Sequence, residues 1–301
     1  MNPPPSTLFT APPEWQWLIV AYFFLGGIAG GAYFIAVLID LFGDPRDRPL
    51  ARLGYLVAFP CTVICGLLLI VDLHKPLRFW HMLLQSETWR PMLKAWSPMS
   101  LGSWALLLFG GFAFISFLAA LADDGLGRWP RLAVLRPPAI LGVLIAVVGG
   151  LLGFFLAGYT GVLLTVTNRP IWADTSMLGV LFLVSGASTA AALLALLGRR
   201  RARESVTGLH ALERFDSLML VLELVALVAL VISLGGMARL WLSLWGALLV
   251  VGVVGLGIVA PLVLYRRALR LGVPSGAAAP ALVLLGGFLL RVVIILSSEG
   301  V

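Results

Sequence analysis

The chain has 301 residues, of which 60% are hydrophobic and only 12% charged. Soluble domains carry roughly 25% charged residues, so this composition excludes that class and defines an integral membrane protein. The net charge of +7 is not a nucleic-acid signal, because the cations sit in short gaps between long apolar segments.

Crossing the hydrocarbon core takes roughly 20 apolar residues in a helix. Eight segments qualify, over about 17–42, 53–73, 98–122, 136–165, 175–197, 216–235, 241–265 and 280–297. The expected fold is all-α, a single polytopic membrane domain over 1–301 whose eight helices permit a pair of four-helix bundles. The opening Met1-Asn-Pro-Pro-Pro-Ser-Thr has no basic region of the signal-peptide kind, so the first span is expected to act as its own insertion signal. Fourteen of the 21 Lys and Arg fall in alternate gaps, at Arg46 to Arg52, Arg128 to Arg136, Arg199 to Arg214 and Arg266 to Arg270. The positive-inside rule makes these gaps cytoplasmic and puts both termini and the segment 73–97 outside.

Span one carries Tyr22, near Trp15 and Trp17, then Gly26-Gly-Ile-Ala-Gly30-Gly31, whose small residues at i and i+4 allow close helix approach. It closes at Asp40. Span two holds Cys61 and Cys65, one turn apart, which reads as a pair of reduced core cysteines rather than a disulfide. It ends at the densest polar cluster, Asp72-Leu-His-Lys-Pro-Leu-Arg-Phe-Trp-His81. Ionisable groups are costly at a membrane boundary, so this cluster is either a functional site or an interfacial anchor. The alternation of Leu77, Phe79, Trp80 and Met82 with Arg78, His81 and Gln85 predicts an interfacial amphipathic helix over about 75–90, able to dock a partner or to roof a pocket.

Span four carries Tyr159-Thr160-Gly161 and runs into Asn168-Arg-Pro-Ile-Trp172. Tyr159 fits interface anchoring and ligand contact equally well. Asp174 opens span five; Asp216 and Glu223 lie at i and i+7 of span six; Arg291 sits inside span eight. Glu223 and Arg291 either neutralise each other or belong to a proton relay. The three histidines, His74, His81 and His210, all lie outside the spans, so a transmembrane haem is not expected. No Walker motif, Cys cluster or zinc-protease motif occurs.

The chain resembles the NrfD-like family, the membrane subunits of polysulfide reductase and related complex iron–sulfur molybdoenzymes. The resemblance rests on Tyr22-Phe-Phe-Leu-Gly-Gly-Ile-Ala-Gly-Gly31, Asp72-Leu-His-Lys-Pro-Leu-Arg-Phe79, Ser97-Pro-Met-Ser-Leu-Gly-Ser-Trp104, Tyr159-Thr-Gly-Val-Leu-Leu164, Asn168-Arg-Pro-Ile-Trp172 and Gly286-Gly-Phe-Leu-Leu-Arg291, in this order on eight spans. It implies a multi-pass protein of a bacterial-type inner membrane with a haem-free site for menaquinone or ubiquinone near the outer face. It implies a ferredoxin-like iron–sulfur subunit docked there and a molybdenum- or tungsten-containing catalytic subunit beyond. By position, Tyr159 is expected to contact quinone, with Tyr22 beside it and Asp72, Arg78 and His81 as the polar wall. Glu223 and Arg291, with Asp216, Asp40 and Asp72, would form a proton route.

Two other readings remain open at this level. A proton-coupled secondary transporter would use the same buried charges, and a purely structural anchor would need none of them.

Overall fold

A computed structural model of the protein describes residues 15–73, 75–123, 130–201, 206–273 and 275–298. His74, Arg128 and Arg203 lie outside the described residues. Eight helices are long and apolar enough to cross a membrane. They are α1 (Trp17–Phe42), α2 (Arg48–Asp72), α3 (Pro98–Asp123), α4 (Ile140–Thr165), α5 (Leu178–Arg201), α6 (Val206–Leu234), α7 (Leu244–Leu271) and α8 (Ala278–Leu296). No strand occurs among the described residues.

Packing follows the order of the sequence. α1, α2, α3 and α4 close into one four-helix bundle, and α5, α6, α7 and α8 into a second. α1 joins them, packing on α5 and α8 as well as on its own bundle. Small residues permit this central position. A Cβ on Gly27 or Gly31 would press into Gly186 of α5, and one on Gly30 would overlap the Gly153 carbonyl of α4. The glycine pattern of span one therefore packs two neighbours at once.

The eight spans alternate in direction, so the molecule has a Tyr159 end and an Asp40 end. Several helices run further than hydropathy predicts. α6 begins at Val206 rather than near 216, because it carries Glu213 and Asp216 on a buried face where each carboxylate accepts hydrogen bonds from neighbouring helices and loops. The interfacial segment is shorter than the predicted helix over 75–90. A 3-10 helix covers Pro76–Met82, followed by a turn closed by the Leu84–Pro91 bridge. Within α7, Leu248–Val259 widens into a π-helix, and its Gly257 lies directly against Gly286 of α8.

Candidate functional site

At the Tyr159 end, α1, α2, α3 and α4 splay around a cavity of about 150 Å³. Its lining is apolar, from Ile19, Phe23, Leu69, Leu73, Met82, Met99 and Leu163, broken by Tyr22, Asp72, Ser103 and Tyr159. Three of the five residues expected to contact a ligand therefore line one cavity from three different helices. Asp72 is the last residue of α2. A carboxylate there opposes the helix dipole, so its placement on the cavity wall is not explained by helix stability.

Tyr159 is held by α3. Its hydroxyl donates a 2.6 Å hydrogen bond to the Pro98 carbonyl. Its ring lies on Gly102, where any Cβ would overlap it, and stacks on Phe155 at 5.6 Å. The Ser97–Trp104 motif thus forms the seat of Tyr159 and, through Met99, Gly102 and Ser103, one wall of the cavity. Tyr22 is buried, and the Cys65 thiol donates to its carbonyl at 3.7 Å. Both cysteines are free.

Arg78 and His81 do not line this cavity. The 3-10 helix turns Met82 inward and leaves Arg78 exposed. His81 stacks on Trp80 at 3.8 Å, and Trp80 on Trp89 at 5.2 Å, so this part of the segment builds an aromatic belt.

The Asn168–Trp172 motif buttresses the site. Trp172 is fully buried, donates from Nε1 to the Ile294 carbonyl at 2.7 Å, and stacks on Trp15 of the cavity wall at 5.6 Å. Arg169 donates to the Ser298 carbonyl at 3.3 Å. Between them Ile171 has φ 70°, a left-handed conformation rare for a β-branched residue. The Asp174 carboxylate accepts the Ile171 N–H at 3.0 Å and holds that turn.

The second bundle contains a column of buried polar groups. Toward the Asp40 end Glu213 accepts from Arg199, from the Ser275 N–H and from the Ser275 hydroxyl. Asp216 accepts from Ser188 at 2.5 Å and from Tyr265 at 2.7 Å. Further along, Arg291 donates to Ser185 at 2.6 Å and to the Gly287 carbonyl at 2.7 Å, lying over the rings of Phe182 and Phe24. Glu223 is buried nearby, within electrostatic reach of Arg291. The ten residues from Glu213 to Glu223 span about 15 Å of helix axis. Asp40 belongs elsewhere. It takes a two-oxygen pairing from Arg136 at 3.1 Å, in the first bundle, beside Tyr55, Tyr33 and Ser116.

Sequence reasoning counts Arg136 and Arg199 only as topology cations, yet both are paired with buried carboxylates. It misses Ser185, Ser188, Tyr265 and Glu213. A lone hydroxyl in an apolar span carries no signal of what faces it.

Two packed bundles of long apolar helices define a multi-pass membrane protein, with a partly polar cavity at one end. The family model described as Polysulphide reductase, NrfD matches residues 9–300, and the protein belongs to the NrfD family. It is 30% identical to Protein NrfD of Escherichia coli (strain K12), over 95% of each sequence. It is also 30% identical to the C chain of polysulfide reductase from Wolinella succinogenes, over 83% of this sequence and 82% of that one. Protein NrfD homolog of Haemophilus influenzae is 25% identical over similar shares, 83% and 82%.

Proposed function

We propose that the protein is the quinol-binding membrane subunit of a respiratory-type oxidoreductase complex, with the head group of menaquinol or ubiquinol held at Tyr22, Asp72 and Tyr159. The observation that carries this reading is the convergence of these three side chains on one largely apolar cavity. Ligand sites of this kind pair an apolar slot with a few placed polar groups.

The hydrogen bonding favours quinol as the bound form. The Tyr159 proton is engaged by the Pro98 carbonyl, so the phenol oxygen offers its lone pairs to the cavity. An ionised Asp72 is likewise an acceptor only. Two acceptors suit the two hydroxyl groups of a quinol. Oxidation of quinol to quinone releases two protons and two electrons. The Asp72 carboxylate takes the protons one after the other and passes each to water. The Tyr159 phenol keeps its own proton on Pro98 and orients the ring by accepting a hydrogen bond, and the two electrons pass to a redox centre in a partner.

The partner docks on the segment between α2 and α3. This surface exposes Leu77, Trp89 and Trp96 among Arg78, Arg90 and Lys94. The excess of Lys and Arg in the gaps at the opposite end supports an extracytoplasmic side for this face, and a ferredoxin-like iron–sulfur subunit there would lead to a molybdenum or tungsten catalytic subunit. The name of the Wolinella succinogenes relative, one lettered chain of polysulfide reductase, supports membership of a multi-subunit reductase. The buried column of Glu213, Asp216, Glu223 and Arg291 supports a proton route through the second bundle.

Purification of the native complex, with iron and molybdenum assayed and a quinol analogue titrated, tests this reading. Saturable binding that Asp72→Asn and Tyr22→Phe weaken, in a preparation containing iron–sulfur protein, is the expected result. A metal-free single polypeptide that does not bind quinol would refute it and leave the transporter or anchor readings.

A further inference from the structure

We propose that the groove between α2 and α3 takes the isoprenoid tail of the quinol and is the lateral portal by which quinol leaves and reaches the lipid. This rests on the reading of the cavity given above and adds to it a second, adjoining subsite.

The first argument is size. A cavity of about 150 Å³ holds a ring but not a prenylated quinol. Pockets for drug-sized ligands measure roughly 300–1,000 Å³. The α2–α3 groove adds about 380 Å³. Leu69, Leu73, Met82 and Ser103 line both, so the groove continues the cavity rather than lying apart from it.

The second argument is chemistry. Among the described residues that line the groove, only Thr62 and Ser103 bring hydroxyls. Each donates back to a carbonyl of its own helix, Thr62 to Ala58 at 2.7 Å and Ser103 to Met99 at 2.8 Å. Neither asks for a polar ligand, and the rest of the lining is apolar. Such a surface accepts a hydrocarbon tail and nothing that must be hydrogen-bonded.

The third argument comes from the glycines. Gly27, Gly30 and Gly31 exist to let helices touch, but Gly66 and Gly111 do not. A Cβ on either would meet nothing within 4 Å. A Cβ on Gly110 would meet only the Thr62 methyl, at an ordinary 3.6 Å. These glycines leave a channel where side chains would otherwise fill the gap. Phe79, Met82 and Leu83 roof its interfacial end, so a tail lying in it runs down between the helices toward hydrocarbon.

The test compares a tail-less menaquinol analogue with a long-tailed one, each titrated on the purified complex. Gly66→Leu and Gly111→Leu fill the groove from opposite walls and touch neither Tyr22, Asp72 nor Tyr159. The Kd of the long-tailed quinol should rise about tenfold or more in each, equivalent to roughly two buried methylenes lost. The tail-less analogue should bind as it does to wild type. Tyr159→Phe should weaken both alike. Unchanged long-tailed binding in the two variants, with thermal unfolding showing them native, would overturn the proposal and assign the groove to membrane lipid. If one variant fails to assemble, the other decides. Failure of both quinols to bind the wild type would instead refute the cavity reading itself.

Discussion

The Tyr159 hydroxyl donates to the carbonyl of Pro98, the first residue of α3, across 2.6 Å. This bond ties α4 to the start of α3, and it fixes both the position of the phenol and the direction of its proton. The proposed chemistry at this end of the molecule depends on both.

Gly102 keeps that geometry. A methyl group there would overlap the Tyr159 ring. Gly102→Ala is therefore expected to displace the phenol from Pro98 and reduce quinol-dependent turnover by about 100-fold, the scale set by small misplacements of reacting groups. Terminal-substrate reduction with an artificial electron donor should be unaffected. Comparing the two assays on one preparation checks this.

Trp172 holds the site from behind. Trp172→Phe removes the donor to the Ile294 carbonyl, which lies in the last turn of α8. The buried carbonyl left unpaired should cost about 1–3 kcal/mol. Trp15, stacked on Trp172, should loosen with it and weaken quinol-analogue binding. Thermal unfolding and an analogue titration measure the two effects.

Arg291 and the buried Glu223 should be energetically coupled. Arg291→Met removes the cation nearest the buried Glu223 and is expected to destabilise the complex. Adding Glu223→Gln should restore a substantial part. A double-mutant cycle on detergent-solubilised complex should give a coupling energy of about 1 kcal/mol or more. Strict additivity would mean that the two groups do not interact.

The proposed proton route makes a separate prediction. Glu223→Gln and Asp216→Asn keep the shape of the column and remove its acids. Each should abolish proton movement across vesicles holding the complex while quinol oxidation continues at the Tyr159 end. Proton movement at the wild-type rate in both variants would remove the second bundle from the route.

The sequence makes some parts of this molecule legible and hides others, for identifiable reasons. Eight spans are readable because hydrocarbon demands long apolar helices, and short connections make consecutive helices neighbours. Tyr22, Asp72 and Tyr159 are readable as polar groups at one end of their spans. Arg78 and His81 look equally eligible because they follow Asp72 closely in the sequence, but the 3-10 helix sends Met82 to the cavity instead. Gly102 stands in the sequence only as one member of the Ser97–Trp104 motif, since its role is the space it leaves for a ring 57 positions away. The start of α6 is missed because hydropathy treats Glu213 as solvated, whereas Arg199 and Ser275 bury it.

The most direct test of the central claim is Tyr159→Phe in the assembled complex, with quinol-dependent electron transfer and subunit assembly measured on the same membranes. Assembly should be intact, because the lost Pro98 hydrogen bond is worth only about 0.5–1.5 kcal/mol. Quinol-dependent reduction should fall by about 100-fold, the scale for losing a group that positions the reacting ring. Full quinol-dependent activity in the Tyr159→Phe complex would contradict the assignment of this cavity as the quinol site.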